Sequence, residues 1–459
     1  MRASVGSAGD GAVAGQSTGV RRPPLTRETG KDPRVDSHGV AIDAPNQARL
    51  TAILNAGVEL FLEQGFNRTT TDDVAARAGV TKRTLYRYVG SKQALLFAVC
   101  SQLPRRLEEV ADTVSRQGAT DQFRELIAHA AEAMLDLRQV VLVYLAEGKH
   151  LAPEQREFLV RHEDAFVARI SETLQRGVDD RELRPCDIDV VAQALFGSLA
   201  HSTRWYRPDG PLEPGAFAGL MSDLWVNGLL GMGPYPGLGD DPSERAAPEV
   251  VGTLDPDESN EAQEKILDVA TQIFAEQGFD ATSTRSLAEA AQITKGSLHY
   301  YVDRKENLLL QIHLRVMAAS LRAMDDVRQQ DLQPGAAVAE IIRLHLQNVE
   351  NYHNAIIVFN EESKALGPEN MDKLVGWRSL YARFLEDAIA QALAEEGVEL
   401  PQQQVRIVTR MLLAMLNSAY RWFGRGDDVP LQAVSEELVT LFLHGVRSAT
   451  GTAPAAAAR

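Results

Sequence analysis

Two short segments of this chain hold the residue types that grip a polynucleotide backbone and read the edges of its bases. The first is Thr81-Lys82-Arg83-Thr84-Leu85-Tyr86-Arg87-Tyr88, and it recurs as Thr294-Lys295-Gly296-Ser297-Leu298-His299-Tyr300-Tyr301. A hydroxyl residue opening a helix, with the unpaired backbone N–H groups of the first turn, makes a ready phosphate site. Thr71, Thr81, Thr284 and Thr294 stand at such openings. Lys82, Arg83 and Lys295 are suited to donate to guanine O6 and N7 in a major groove, and the small Thr84, Gly296 and Ser297 allow close approach.

Flanking helices must position these segments. Ile53, Leu54, Val58, Phe61 and Leu62 recur at helical spacing, Gly65 is expected to end that helix in the C-cap position, and Phe66 to follow as a buried plug. Thr70 and Thr71 are natural N-caps for a short helix from Asp72 to Ala78, with Val74, Ala75 and Ala78 facing inward. Gly79 makes a sharp turn, Thr81 caps the helix Lys82 to Tyr88, and Ser91 caps a fourth helix carrying Lys92, Leu95 and Leu96. Two short helices across a tight glycine turn form a helix-turn-helix. The second copy repeats this through Gly278-Phe279, Thr282 to Thr284, Ala288 to Ala291, Thr294 to Tyr301, and Asp303 as the cap before Lys305. Gln292 replaces its turn glycine, at a cost of roughly 1 kcal/mol if φ there is positive.

The repeat covers more than the motif. Residues 53–96 align without a gap on 266–309 with 19 identities, against roughly three for unrelated sequences. Lys149 and Pro153 reappear as Lys364 and Pro368, and Arg204-Trp205 as Arg421-Trp422, so the whole unit is duplicated.

The 459 residues exceed one ordinary core, and two to four domains are expected. The longest apolar run, near Val140 to Ala146, is too short to span a membrane, and the first residues lack the apolar stretch of a secretory signal, so a cytoplasmic protein is expected. Two cysteines, Cys100 and Cys186, exclude a disulfide framework and a cysteine-rich zinc site; both are expected to be buried and unreactive. A net charge of −16 argues against a polyanionic partner only on average. From Arg68 to Lys92 the balance is +4, and from Ala281 to Lys305 it is +2, which makes the second reader the weaker one.

The run Gly-Phe, Thr-Thr-Thr, Val-Ala-Ala-Arg-Ala-Gly-Val-Thr-Lys-Arg-Thr-Leu-Tyr-Arg-Tyr-Val and Ser-Lys-Gln-Ala-Leu-Leu resembles the N-terminal domain of the TetR family of bacterial regulators, and the resemblance occurs twice. It implies an all-α chain of two tandem units, each a three-helix DNA-binding domain followed by a helical ligand-binding and dimerisation bundle. It also implies a double-stranded DNA operator as partner and repression relieved by a small molecule. Tyr86, Tyr88, His299, Tyr300 and Tyr301, with Lys92 and Lys305, match family positions that contact backbone phosphates. Arg87 and Thr70 complete the first unit's DNA-facing set.

The expected organisation is a disordered arm at 1–45, helix-turn-helix domains at 46–96 and 260–309, and helical regulatory domains at 97–233 and 310–450. A linker at 234–259 and a loose tail at 451–459 complete it. The last two helices of each unit, Asp187 to Tyr206 with Ala216 to Leu230, and Gln402 to Phe423 with Leu431 to Val446, are expected to form a four-helix interface. The linker reaches roughly 80 to 90 Å when extended, enough for the chain to fold back as an intramolecular pseudo-dimer. Candidate pocket residues are Tyr144, Phe158, Phe166, Phe359, Trp377, Tyr381 and Phe384. Phe359-Asn360-Glu361-Glu362 and Trp377 to Tyr381 are similar to effector domains of regulators of fatty-acid and steroid breakdown, whose ligands are often acyl-CoA thioesters. No phosphate-cradling glycine loop, zinc motif or nucleophile elbow occurs, so neither an enzyme, a cofactor nor a metal is expected. Glu361 and Glu362, like Glu395 and Glu396, are read as solvated faces. The alternative is a ligand-sensing or heterodimerising protein with one or both helix-turn-helices degenerate.

Overall fold

The computed structural model describes residues 44–115, 118–210, 212–230, 261–302, 304–423 and 429–449; the arm before 44, the linker, Asp303 and the tail lie outside them. The first unit contains α1 (Ala44–Arg68), α2 (Thr71–Arg77), α3 (Lys82–Tyr88), α4 (Lys92–Cys100), α5 (Gln102–Thr113), α6 (Ala119–Asp136), α7 (Arg138–Glu147), α8 (Pro153–Asp179), α9 (Ile188–Trp205) and α10 (Pro214–Leu230). The second contains α11 (Glu261–Gln277), α12 (Thr284–Ala290), α13 (Lys295–Tyr301), α14 (Lys305–Gln329), α15 (Pro334–Asn351), α16 (His353–Glu361), α17 (Pro368–Glu395), α18 (Gln402–Ser418) and α19 (Leu431–Ala449). Among the described residues there is no strand and no helix long and apolar enough to cross a membrane.

The short helices are fixed by their caps. Thr70 accepts from the Asp73 N–H while Asp73 accepts from the Thr70 backbone, and Ser283 with Ser286 does the same in the second unit. Thr81, Thr294 and Ser91 each accept from the N–H three residues on. Gly65 takes φ 80°, ψ 167°, outside the helical region, and so stops the regular helix as expected, a short further turn running on to Arg68 beyond the kink. Phe66 is only half-buried, whereas its counterpart Phe279 is buried, although Gly278 before it takes the same kind of positive φ, 87°. Ala78 is likewise only half-buried. The turn residues Gly79 and Gln292 both sit at positive φ, 65° and 58°, so Gln292 carries the strain that glycine avoids. The units differ in where their helices break. Pro104 cannot donate back to the preceding turn, and the first unit divides there into α4 and α5 where α14 runs unbroken.

The units meet along their last two helices, α9 packing on α18 and α10 on α19. Gly228 and Gly445 occupy equivalent places at the α10–α19 crossing. A Cβ on Gly228 would strike the Leu441 carbonyl oxygen, and one on Gly445 the Leu224 carbonyl, so backbone meets backbone. Arg184 and Glu437 close one end of this interface with a mostly buried ion pair, and the Asp187 N–H donates to the same carboxylate at 3.2 Å. Apolar packing is continuous from α5 through both bundles into the second reading head, while the first head forms its own cluster on Val140, Val143, Leu151 and Leu159. Cys100 is buried and its thiol pushed up by burial; Cys186 is only half-buried, its thiol raised to about 12, chiefly by burial.

Candidate nucleic-acid interface and ligand cavity

Each reading helix is seven residues long and held by one buried leucine, Leu85 or Leu298, which leaves its other faces free. The cap hydroxyls pair forward, Thr81 with Thr84 and Thr294 with Ser297, both at 2.9 Å. Arg83 and Lys295 are exposed and have no ion-pair partner among the described residues. Lys82 instead reaches Asp72 on α2 at 2.8 Å. At the position equivalent to Asp72 the second unit has Arg285, paired with Glu289, so Lys295 meets no such restraint. Tyr300 is 83% exposed; Tyr86, 43% exposed, lies 3.2 Å from the Thr71 hydroxyl. Tyr88 donates to Asn46 at 2.6 Å and lies under Arg87, and Tyr301 packs partly against the core. His299 is exposed.

Lys92 and Lys305 occupy matched structural seats. Lys92 Nζ donates to the Phe66 and Asn67 carbonyls at 2.7 and 3.3 Å and lies over the Phe66 ring; Lys305 donates to the Phe279 and Thr282 carbonyls at 2.9 and 3.1 Å over the Phe279 ring. Both ammonium groups satisfy the carbonyls where the chain turns from the first helix of each head, an engagement the sequence reading did not anticipate.

Beneath the heads lies a cluster of charges that joins the two units. Lys149 pairs with Glu362 and stands 3.9 Å from Glu361, and Arg68 reaches Asp280 at 3.3 Å. By the repeat, Glu147 and Lys364 are the counterparts of Glu362 and Lys149, and they attract one another across the same junction. Glu361 and Glu362 are thus not a solvated face: their side chains are only 14% and 12% exposed. Burial raises Glu361, with Lys149 and Arg421 opposing the shift.

A cavity of about 460 Å³ opens in the second bundle, with first-unit residues forming part of its wall. From the first unit come Leu142, His201, Arg204 and Trp205; from the second, among others, Phe359, Arg378, Tyr381 and Arg410. Arg204 donates to the Asn360 carbonyl at 2.8 Å, while its Nε and second terminal nitrogen are buried without a partner. Arg378 lies over the Phe359 ring at 4.3 Å, and burial, then Arg204, pushes it down to about 10. His345 contacts the Tyr381 hydroxyl at 3.2 Å and burial lowers it to about 4, so it is neutral at pH 7. Among the described residues no carboxylate lines the cavity.

The model of bacterial regulatory proteins of the tetR family matches residues 53–99 and again 266–312. The tetracyclin repressor-like C-terminal domain matches 116–229 and again 331–446. The chain belongs to the TetR family. It is a DNA-binding transcriptional regulator made of two tandem family units. The HTH-type transcriptional repressor KstR2 of Rhodococcus jostii is 24% identical over 184 residues, 40% of this chain and 90% of that protein. The fatty acid metabolism regulator protein of Bacillus subtilis is 21% identical over 189 residues, 40% of this chain and 95% of that protein. Among solved structures, PfmR of Thermus thermophilus is 26% identical, with 38% of this chain and 95% of that one covered at a TM-score of 0.36. Each relative is about as long as one TetR-type unit.

Of the seven aromatic residues expected at a pocket, Phe359 and Tyr381 line the cavity of this TetR chain. Phe166 packs in the core beside Phe196, Phe158 lies between Phe97 and His162, and Tyr144 sits under Arg421. Trp377 and Phe384 pack against the core from the outside. They fail as candidates because helical spacing identifies an inward face without saying whether that face meets a void or another helix. The sequence did not single out the polar lining: Arg204 stood out only as part of the repeat and Arg378 only within the Trp377 to Tyr381 segment. The repeat of Arg204-Trp205 in both units was the available signal.

Proposed function

We propose that the two units act as the halves of one pseudo-dimeric repressor, and that an anion with an apolar body, bound in the second unit's cavity, releases it from its operator. The observation that carries this reading is Arg204, a first-unit side chain lining a second-unit cavity that contains Arg378 and no acid. An anion between these guanidiniums gains charge-assisted hydrogen bonds in a site of low polarity. Asn360, whose carbonyl Arg204 holds, is followed in the chain by Glu361 and Glu362, and α16 packs against α11 of the second head. A ligand that pulls Arg204 or α16 therefore acts on the spacing of the heads. The repressor name of KstR2 and the apolar–anionic character of fatty-acid derivatives agree with this sign and this class. A DNA reader of this kind works in the cytoplasm of its bacterium.

The phosphate grip falls to the first-turn N–H groups with Thr70, Thr71, Thr81 and Thr84, and with Thr284, Thr294 and Ser297. Base reading falls to Lys82, Arg83 and Lys295, flanked by Tyr86, Arg87, Tyr88, Gly296, His299, Tyr300 and Tyr301. The test is linkage. Dodecanoyl-CoA should weaken binding to an operator selected from genomic fragments, and operator should weaken dodecanoyl-CoA binding by the same factor. Equal affinity with and without DNA rejects the effector assignment. If random-duplex selection enriches no sequence, the chain is instead a sensor with degenerate heads, a reading that the strained Gln292 turn favours for the second unit.

A further inference from the structure

The cavity has no equivalent polarity in the first unit, and the repeat shows why. Helices α8 and α17 both begin at a proline, Pro153 and Pro368, so ten residues on Glu163 is the counterpart of Arg378. Likewise Tyr144 corresponds to Phe359, and Arg421 to Arg204. Each unit sends the arginine at this position into its neighbour's bundle. Arg204 meets Arg378 beside an open cavity, whereas Arg421 meets Glu163 at 3.9 Å and the Tyr144 ring at 5.4 Å. Burial opposes the charge on Arg421, and Tyr144, Glu163, Tyr420 and Glu361 favour it.

The polar walls change in the same sense. His345 and Asn348 on α15 correspond to Ala130 and Ala133 on α6, and Asn417 on α18 to Ala200 on α9; the three alanines are between 0% and 8% exposed and packed in the core. Arg410, near Trp205, corresponds to Gln193.

We propose that the chain binds a single anionic ligand, in the second unit, because Glu163 permanently occupies the first unit's counterpart of that site as a built-in acid for Arg421. This rests on the effector reading above. The charge reversal between Glu163 and Arg378 makes one half of the pseudo-dimer a fixed reference and the other the sensor, so release from DNA follows one binding event rather than two.

The test uses the full chain and two probes, dodecanoate and dodecanoyl-CoA, which share an anion ahead of an apolar chain but differ in whether a carboxylate or phosphates supply it. Calorimetry should give one bound probe per chain, with the preferred probe identifying the source of the anion. Arg378→Glu should weaken its binding at least tenfold by giving Arg204 an internal partner. Without any probe, thermal melts of variants at the two equivalent positions should move in opposite directions. Glu163→Gln removes the ion-pair partner of Arg421, leaving it the charge of Glu361, and lowers the melting temperature, while Arg378→Glu relieves the paired arginines and raises it. If Glu163→Gln does not fold, the Glu163→Gln/Arg421→Gln pair recovers a folded chain. Two probes per chain, or melts that shift the same way, overturn the inference while leaving the effector reading intact. No binding of either probe to the unaltered chain overturns both.

Discussion

Replacing Gly228 with alanine tests the packing that joins the two units. The added Cβ would collide with the Leu441 carbonyl oxygen, a backbone atom that cannot turn aside, so α10 and α19 must separate along the crossing. Overpacking of this kind costs about 1–3 kcal/mol. For a chain of this size that is a fall in melting temperature of roughly 2–6 °C, taking about 2 °C per kcal/mol. Gly445→Ala meets the Leu224 carbonyl at the equivalent place and should cost about the same. Once either alanine has opened the crossing, the second finds space already made. The double variant should therefore fall short of the sum of the singles by at least about 1 kcal/mol. Calorimetric melts of the four proteins measure this cycle, and full additivity, or single variants that melt like the parent, would refute a crossing in which both glycines bear on one contact.

Arg83→Ala should weaken binding to the selected operator by roughly 1–3 kcal/mol while leaving random duplex nearly unaffected, as gel shifts on both can show. Lys92→Met removes the ammonium from the Phe66 and Asn67 carbonyls, so it should cost about 1–3 kcal/mol of stability, seen as a shifted denaturant midpoint, beyond any change in salt slope. Gln292→Gly relieves the positive φ and should stabilise the second head by about 1 kcal/mol, observable as slower hydrogen exchange across α12 and α13. Burial, its first cause, lowers His313 to about 4, so its folded pKa lies below the unfolded value near 6.5. The unfolded chain then takes up a proton first as pH falls, and stability is lost from about pH 6.5 down to about 4. At pH 5 the loss is about 2 kcal/mol from this residue, and His313→Gln should flatten the pH dependence of the melt by that amount.

What the sequence revealed was whatever local chemistry encodes. The capping hydroxyls Thr81, Thr294 and Ser91 and the bounds of α3 and α13 follow from hydrogen bonds within a single turn, and the duplication follows from identity alone. The positive φ at Gly65 was legible, whereas the half-burial of Phe66, whose ring stacks on the distant His150, was not. The engagement of Lys92 and Lys305 with carbonyls 26 positions back in the chain was not legible, because a lysine's type does not name its partner. The cavity was the least visible feature. Its decisive residue, Arg204, belongs to one unit and most of its wall to the other, and Glu361 and Glu362 pair with a lysine more than 200 positions away. Only aligning the two units with each other would have exposed the exchange of Glu163 for Arg378.

The most direct test of the account is the stoichiometry and footprint of the protein on its selected operator. Light scattering of the complex should give one 50.2 kDa chain per duplex. Footprinting should give two protected half-sites about 34–36 Å apart that form an imperfect palindrome. One arm should lose protection with Arg83→Ala and the other with Lys295→Ala. Two chains on a perfect palindrome, with Lys295 and the rest of α13 dispensable, would contradict it.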